Sequence, residues 1–290
     1  YKKEYYKEVI VPMNKDYQRG LTPNPDIVCN KLIKFPYLLR EAKKLGADYI
    51  ATGHYARIKK TKADFQLLQG KDNTKDQSYF LHKLNQETLA KTIFPLGNLT
   101  KEEVRKVAEK HNFPNWNKPG TTGICFLGKT ANIKSFLEKK IKGEKGKILN
   151  PEGEVIGTHP GTAYFTIGQK IQEHLGLKIN KPKEHAQERY YVAEKIVNTI
   201  IAAPEGHPIL KKQKISIKNL HLINPNNPIP KLNLLARIRH LGDLYPGKLT
   251  KSKGDYRFTF SKPIKGLAAG QSIVLHHETQ VIGGGEIRLK

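Results

Sequence analysis

The chain has 290 residues and a formal net charge of +25, because 51 lysines and arginines outnumber 26 aspartates and glutamates. This length allows two or three domains with a sizeable core. No apolar run is long enough to cross a bilayer and no signal peptide is visible, which excludes a membrane protein. The two cysteines exclude the disulfide framework of a small secreted domain and predict the reducing cytoplasm as the compartment.

The excess of positive charge predicts a polyanionic partner. Nucleic acid is the first candidate, because a broad basic surface neutralises phosphates and releases counterions. The alternative is a lysine-rich surface whose charges are simply solvated. Charge alone leaves both interpretations open.

The first part of the chain is predicted to be α/β. Apolar residues at helical spacing predict a helix over 36–45, which ends at Gly46. The apolar piece 48–51 then predicts a short buried strand, which breaks at Gly53 and His54. Such a pair is half of a parallel α/β unit, in which ligands gather beyond the carboxyl ends of the strands. We therefore expect Gly53 and His54 at a ligand site, although His54 alone would favour a structural histidine.

The next segments predict further local elements. Alternation predicts a hairpin from strands 55–58 and 65–69, and the polar residues 75–77 resemble a helix start. A capping box at Thr100 begins another helix, and helical spacing predicts one more over 133–141. The buried face of the helix after Thr100 is predicted to consist of Val104, Val107 and Ala108.

From about residue 143 the pattern changes to strands. Turn residues at 150–153 separate two short strands, and strand-like runs follow at 163–167, 190–196 and 199–202. After residue 214 the pattern is entirely β, with strands predicted at 215–217, 234–238, 256–260 and 273–275. Several short strands with regular turns predict a small barrel or sandwich.

Two clusters near the C-terminus have structural interpretations. His276-His277-Glu278 is interpreted as a hairpin end, because adjacent strand residues point to opposite faces and cannot converge on one metal ion. The sequence therefore predicts no metal site. Gly283-Gly284-Gly285 lacks the strand-loop-helix context of a dinucleotide fingerprint, so it predicts a bulge or close packing.

The two cysteines, Cys29 and Cys125, are expected in loops, because neither fits a helical or an alternating pattern. Lys31 and Lys34 stand near Cys29, and a basic neighbourhood stabilises the thiolate that attacks and carries sulfur. Glycines on both sides of Cys125 allow tight turns that present its side chain to a cleft. The alternative is that both cysteines are small buried core residues.

Residues 123–130 formally satisfy the G-x-x-x-x-G-K-[ST] phosphate-loop pattern. A phosphate loop follows a buried strand and has a small, flexible interior, so that backbone amides can converge on phosphate. Here residues 115–120 cannot form a buried strand, and the loop interior is bulky. A phosphate-loop nucleotidase is therefore ranked third among the hypotheses.

Four segments, in order along the chain, resemble motifs of the bacterial tRNA-specific 2-thiouridylases. They are Leu-Thr-Pro-Asn-Pro-Asp-Ile-Val-Cys-Asn-Lys at 21–31, Ala-Thr-Gly-His-Tyr-Ala-Arg at 51–57, Lys-Asp-Gln-Ser-Tyr-Phe-Leu at 75–81 and Thr-Gly-Ile-Cys-Phe-Leu-Gly at 122–128. Weaker similarity continues through 164–169. The resemblance implies an α/β catalytic domain of the adenine nucleotide alpha hydrolase type at 1–142, a small β-rich central domain at 143–206 and a C-terminal β-barrel at 207–290.

The resemblance also implies a reaction. That family replaces the oxygen at carbon 2 of the wobble uridine of tRNA by sulfur, after ATP with Mg²⁺ has adenylated the oxygen. Sulfur is carried as a persulfide on the second cysteine, here Cys125. The first cysteine, here Cys29, attacks or resolves the persulfide and leaves a transient Cys29–Cys125 disulfide. The implied partners are tRNA and a persulfide donor protein, such as a cysteine desulfurase or a sulfur relay protein.

Further roles are implied by matching motif positions. Asn24, Pro25 and Asp26 would contact the target base, with Asp26 as a proton acceptor near the reacting centre. Gly53 would belong to the ATP site. The residues implied to contact tRNA are His54, Lys75, Asp76, Gln77, Arg239, His240 and Gln271.

The sequence departs from the family pattern in two places. The S-G-G-x-D-S loop for ATP and the first strand and helix of the catalytic domain do not occur in it. We therefore expect an N-terminally incomplete chain that cannot bind ATP productively by itself. Gly120-Thr121 stands where the family has Asp-Ser, which alters the approach to Cys125. A non-catalytic tRNA-binding remnant of the family is accordingly the second hypothesis.

Overall fold

The computed structural model describes residues 1–118, 133–180, 188–227, 229–230, 233–252 and 254–289. The helices are α1 (Lys2–Tyr5 and Val11–Gln18, joined by a π-turn at Tyr6–Ile10), α2 (Pro25–Cys29 and Phe35–Lys44, joined by a π-turn at Asn30–Lys34), α3 (Gln86–Ala90), α4 (Lys101–Lys110) and α5 (Ile133–Lys140). The strands are β1 (Ile50–Ala51), β2 (Ala56–Lys60), β3 (Phe65–Gln69), β4 (Thr92–Ile93), β5 (Gly146–Leu149), β6 (Val155–His159), β7 (Lys178–Ile179), β8 (Tyr190–Ile196), β9 (Thr199–Pro204), β10 (Lys211–Leu222), β11 (Leu234–Arg237), β12 (Tyr245–Ser252), β13 (Asp255–Lys265), β14 (Ser272–His277) and β15 (Gln280–Arg288).

A proline explains each π-turn in the two long helices. Pro12 is the second residue after the π-turn of α1, and Pro36 is the second residue after the π-turn of α2. A proline inside a helix donates no N–H bond, and its ring clashes with the carbonyl four residues earlier, so a wider turn relieves both problems. The end of α2 is as predicted, because Gly46 follows it with a φ of +72°.

The predicted α/β half-unit is present in the first part of the chain. Strand β1 pairs in parallel with β4, with Ile50 opposite Thr92. The core beneath these strands is apolar and includes Phe35 from α2, Leu89 from α3 and Phe94 after β4. This packing holds α2 against β1, so the segments that contain Cys29 and Gly53 belong to the same compact unit.

Helix α4 has the predicted capping box, but its predicted buried face is wrong. The Thr100 hydroxyl accepts a bond from the Glu103 N–H at 3.2 Å, and a Glu103 carboxylate oxygen accepts one from the Thr100 N–H at 2.6 Å. No residue of α4 is buried, and Val107 is 51% exposed. The helix is therefore fixed mainly by polar contacts at its start, including a bond from the Lys101 N–H to an Asp72 carboxylate oxygen at 2.9 Å.

Because α4 buries so little apolar surface, its cap is expected to matter for stability. Replacing Thr100 with alanine removes the acceptor for the Glu103 N–H. We expect the free energy of unfolding to fall by about 1 kcal/mol, the usual effect of losing an N-cap side chain. Denaturant titration checks this, and Thr100→Ser, which keeps the hydroxyl, is the matched control. Equal losses in both variants would show that the hydroxyl bond does not stabilise the helix.

The central part of the chain forms a five-stranded sheet in the order β7-β6-β5-β9-β8. The predicted turn at 150–153 joins β5 and β6, and the predicted strands at 190–196 and 199–202 are β8 and the start of β9. The strand predicted at 163–167 is wrong, because Thr162–Tyr164 forms a 3-10 helix instead. Phe165 is buried in the core of this sheet, and the Tyr164 hydroxyl donates to the Ile141 carbonyl at 2.7 Å, so these apolar residues fill a core without pairing in a ladder.

The C-terminal part is a closed barrel of six strands in the order β10-β13-β12-β11-β14-β15, and β15 pairs again with β10. The predicted alternation in β13 is confirmed, since Phe258 and Phe260 both lie in the barrel core. The hairpin β2–β3 extends the same sheet, because Val281 of β15 pairs with Leu67 of β3. The barrel sheet therefore also contains two strands from the α/β part of the chain.

The glycine cluster allows the barrel to close. A Cβ atom on Gly283 would lie 2.1 Å from the His221 carbonyl oxygen, and β10 and β15 shift register beside this contact. The prediction of close packing or a bulge is confirmed.

His276 and His277 end β14 as predicted, with Glu278 in the following turn at a φ of +53°. Among the helices in the described ranges, none is long and apolar enough to cross a membrane.

Candidate functional site

The segment Asn24-Pro25-Asp26 forms the start of α2. The Asn24 side-chain oxygen accepts bonds from the backbone N–H groups of Asp26 at 3.1 Å and Ile27 at 3.2 Å. Pro25 is buried at the first helical position, where a proline costs no helical hydrogen bond. Because the Asn24 oxygen is occupied as a cap, the side-chain NH₂ remains as the group that this residue offers to a ligand.

Cys29 lies in a helix, so its predicted loop position is wrong. It is the last residue of the first stretch of α2, immediately before the π-turn, and it is 8% exposed against Val9 and Ile33. The proline that follows in α2 places this turn here, and the sequence pattern did not show it. Asp26 is half-buried and lies three residues before Cys29, which puts both side chains on one face of the helix.

Cys125, the second predicted cysteine, lies outside the residues that the structure describes. The same holds for Gly120-Thr121 and for the whole phosphate-loop pattern at 123–130. The chain is described again from Ile133, where the predicted helix over 133–141 appears as α5. Its Leu137 and Ile141 are buried against α1.

Gly53 and His54 follow β1, as predicted. Gly53 is exposed at the carboxyl end of the strand, whereas His54 is only 9% exposed. The His54 Nδ1 atom lies 2.8 Å from the Thr52 hydroxyl, Nε2 lies 3.4 Å from the Lys34 amine, and the ring stacks on Phe35. Burial, with a smaller contribution from Lys34, lowers the His54 pKa to about 3. The imidazole is therefore neutral and held in the core, which does not support its predicted contact with tRNA.

Asp76 is fully buried, which contradicts its predicted direct contact with tRNA. One carboxylate oxygen accepts bonds from the N–H groups of Gly70 at 3.1 Å and Ser78 at 3.0 Å. The other accepts the Ser78 hydroxyl at 3.0 Å and the Arg237 Nη1 at 2.7 Å. A buried carboxylate needs such donors to offset its lost hydration, so Asp76 is a structural anchor between β11 and the segment 75–81.

The neighbours of Asp76 differ from it in exposure. Lys75 is exposed and remains a candidate contact for phosphate. Gln77 is half-buried, and it makes hydrogen bonds to both the N–H and the carbonyl of Tyr55. Its side-chain oxygen accepts from the Tyr55 N–H at 3.1 Å, and its own N–H donates to the Tyr55 carbonyl at 2.8 Å. Gln77 therefore orders the turn after β1.

The predicted residues of the barrel lie on the side that faces segment 75–81. Arg239 is exposed and donates to the Gly266 carbonyl at 2.9 Å. The His240 ring packs against Phe80 with 4.3 Å between centroids, and burial lowers the His240 pKa. Gln271 is half-buried and precedes Ser272, whose carbonyl accepts the Tyr79 hydroxyl at 2.8 Å. The structure thus joins the 75–81 motif to the barrel residues.

Arg237 is the residue of this site that the sequence analysis missed. Its guanidinium is the partner of Asp76, and the residue is 8% exposed. A signal was present, because an arginine interrupts the apolar run of β11 between Ala236 and Ile238. A charge at a buried strand position requires an opposite charge nearby.

In the described part of the chain, no group of three or more His, Cys, Asp or Glu side chains is arranged to hold a metal ion.

Three family models match consecutive parts of the chain. The tRNA methyl transferase HUP domain matches residues 1–129, the tRNA methyl transferase PRC-barrel domain matches residues 134–202, and the aminomethyltransferase beta-barrel domain matches residues 212–287. The order of these models agrees with the predicted fold class of an α/β domain, a small central domain and a C-terminal barrel, which is confirmed.

Curated relatives match along almost the whole chain. A protein of Nitrosomonas eutropha named tRNA-specific 2-thiouridylase MnmA is 39% identical over 288 residues, which are 98% of this chain and 78% of the relative. The protein of that name from Pseudomonas fluorescens is 40% identical over 289 residues, 99% of this chain and 76% of the relative. From Aliarcobacter butzleri, tRNA-specific 2-thiouridylase MnmA 2 is 40% identical over 290 residues, 98% of this chain and 79% of the relative.

Proposed function

Because the chain belongs to the family of tRNA-specific 2-thiouridylases, we propose that it is a sulfurtransferase that replaces the oxygen at carbon 2 of the wobble uridine of tRNA by sulfur. The similarity along almost the whole chain carries this proposal. The site supports it, since Asp26 and Cys29 lie on one face of a helix whose start is fixed by the Asn24 cap. The net charge of +25 suits a tRNA partner.

In the proposed reaction, Cys125 carries the sulfur as a persulfide. The terminal persulfide sulfur loses its proton to Asp26 and forms a bond to carbon 2, and the oxygen, once activated by adenylation, would leave carbon 2 as part of AMP. The Cys29 thiolate then attacks Sγ of Cys125, which breaks the S–S bond and leaves its electron pair on the sulfur now attached to the uridine. The resulting Cys29–Cys125 disulfide is reduced by an external dithiol before the next turnover.

The proposed cofactor is ATP with Mg²⁺, which when bound activates the oxygen of the uridine as a leaving group. Gly53 fits one wall of a nucleotide site, because it is exposed at the carboxyl end of β1 and has no side chain to block a ligand. No Mg²⁺ ligand is assigned among the residues that the structure describes. The chain's own residues are proposed to orient the base, to accept the proton at Asp26 and to supply the two thiols.

The proposed partners are tRNA and a persulfide donor protein, such as a cysteine desulfurase or a sulfur relay protein. Lys75, Gln77, Arg239, His240 and Gln271 are proposed to contact the tRNA, and Asn24, Pro25 and Asp26 the target base. The proposed compartment is the reducing cytoplasm, because the mechanism requires Cys29 to return to its thiol form. The proposed domain limits remain 1–142, 143–206 and 207–290.

Nucleoside analysis of tRNA tests the proposed activity. The protein is produced from its gene in a bacterium that lacks its own thiouridylase, and the tRNA is digested and analysed by mass spectrometry. We expect 2-thiouridine derivatives to appear with the protein and to be absent with the empty vector. Bound tRNA without thiolation would favour the non-catalytic remnant. A new methylated uridine would instead favour the methyl transferase activity for which the matching HUP-domain family is named.

A further inference from the structure

The ion pair between Asp76 and Arg237 connects two parts of the chain that are far apart in sequence. Asp76 belongs to the segment after β3, and Arg237 is the last residue of barrel strand β11. The two atoms Asp76 Oδ2 and Arg237 Nη1 are 2.7 Å apart. The side chains are 0% and 10% exposed, whereas the surface pair of Lys106 and Glu102 on α4 has exposures of 72% and 77%.

Two further contacts lie beside this pair. The Tyr79 hydroxyl donates to the Ser272 carbonyl on β14 at 2.8 Å, and the Phe80 ring packs against His240 at 4.3 Å between centroids. Among the described residues, the buried Nδ1 atom of His240 has no hydrogen-bond partner, so this ring is held by packing. Its position therefore depends on how segment 75–81 is seated against the barrel.

The same segment is connected to the helix that contains Cys29. The side-chain amide of Asn30, which follows Cys29 in α2, donates to the Phe80 carbonyl at 3.2 Å. A continuous path of contacts thus runs from Cys29 through Asn30 and Phe80 to His240 on the barrel. If segment 75–81 packed differently against the barrel, His240 and its barrel neighbours would move relative to the Cys29 thiol.

An ion pair restricts the position of segment 75–81 against the barrel more strictly than an apolar contact does. Its hydrogen bonds are directional, and a small shift leaves a buried charge without its partner. An apolar pair of similar size would be about as stable, so stability alone does not account for the charges. The Asp76 carboxylate is also fixed on its own side by Gly70 and Ser78, so that Arg237 has one place to bind.

We propose that Asp76 and Arg237 are positioning residues that hold the barrel surface around Arg239 and His240 in register with the α2 helix and the tRNA. This inference rests on the proposed function, because it takes tRNA as the ligand of that surface. Neither side chain touches the tRNA. They fix the positions of the polar groups of Lys75 in segment 75–81 and of His240 on the barrel.

The test compares two variants that change the net charge in opposite directions. Asp76→Asn adds one unit of positive charge, and Arg237→Met removes one. If charge alone governed tRNA binding, the first would strengthen it and the second would weaken it. If the pair positions the surface, both weaken binding. We expect Kd and KM for tRNA to rise about tenfold in each variant, the scale of mutations in coupled contact networks.

Glu102→Gln is the matched control, because it makes the same carboxylate-to-amide change and the same charge change in an exposed ion pair. We expect it to leave Kd and KM for tRNA unchanged. The double variant Asp76→Asn with Arg237→Met is expected to bind no more weakly than either single variant, since one contact is lost in all three. At saturating tRNA, kcat should stay near that of the natural protein.

Tyr79→Phe is the second variant, in case loss of the buried pair prevents folding. It removes only the hydroxyl, which donates to the Ser272 carbonyl at 2.8 Å and lies 3.4 Å from the Ile238 carbonyl, and we expect a smaller rise in the same KM. A merely structural role would instead lower the active fraction, which reduces kcat and leaves KM unchanged. That pattern overturns the proposal. An Asp76→Asn variant whose Kd for tRNA equals that of Glu102→Gln overturns it too.

The outcomes also separate this proposal from the proposed function. Kd is measured by fluorescence with unmodified tRNA and needs no turnover. If the natural protein binds tRNA but makes no 2-thiouridine, weaker binding by both variants still supports the positioning role while the sulfurtransferase proposal fails. If the natural protein does not bind tRNA, the positioning proposal is overturned.

Discussion

Replacing Cys29 with serine is expected to abolish the formation of 2-thiouridine, with a loss of more than about a thousandfold in rate, as for other catalytic nucleophiles. The hydroxyl of serine cannot form a disulfide with Cys125, so the S–S bond that holds sulfur on the enzyme is not broken. The measurement is single-turnover thiolation of tRNA by the purified protein, followed by nucleoside mass spectrometry. Full activity of this variant would refute the role given to Cys29.

Cys29 is buried beside Val9 and Ile33, so a change in folding must be separated from a change in chemistry. Val28→Ala, at the preceding position, is the control for altered packing and is expected to thiolate tRNA. The Cys29→Ser protein is expected to bind tRNA with unchanged Kd. Cys125→Ser is expected to be inactive as well, and the double variant should be no worse than either single variant, because residues that act as a unit are not additive.

Acid is expected to destabilise the protein strongly, because burial strongly lowers the pKa of three of the buried histidines in the described residues. Burial lowers the pKa of His54, His82 and His276 to about 3 each, from an ordinary value of 6.5. Between these values the unfolded chain binds protons that the folded chain does not, so stability is complete above the unfolded pKa and falls as the pH falls. At about pH 5 each histidine should remove about 2 kcal/mol, and together about 6 kcal/mol.

That loss is comparable with the whole stability of an ordinary domain. Denaturant titrations at neutral and at acid pH give the measurement, and His276→Gln should reduce the pH-dependent part by about a third. Val274→Ala, another buried position on β14, is expected to lower stability at both pH values equally. A protein whose free energy of unfolding is the same at both pH values would contradict the assignment of these histidines as buried and neutral.

Local patterns predicted the elements whose cause is local. The capping box at Thr100, the hairpin β2–β3, the end of α2 at Gly46 and the alternating Phe258 and Phe260 all appear as expected. In each case the responsible signal lies within a few residues of the element. The strand pattern left a small barrel or a sandwich open, and only the resemblance to the family indicated the C-terminal barrel.

The errors arise where distant residues decide the outcome. The sequence pattern predicted a loop at Cys29. It did not show that a π-turn at Asn30–Lys34 accommodates Pro36, so that the helix continues from Cys29 to Lys44. Asp76 was expected to touch tRNA, because nothing near it in sequence reveals Arg237 as its partner. Val107 was expected inside, yet it is 51% exposed and no residue of α4 is buried.

The pairing of β15 with both β3 and β10 has a consequence for how the chain acquires its structure during synthesis. The hairpin β2–β3 leaves the ribosome long before the residues of β15, which are the last strand of the described chain. Until then β3 presents an unpaired edge, of the kind that associates with other strands. The hairpin therefore waits until β15 has been synthesised before its sheet is complete, and chaperones that shield strand edges would act in this interval.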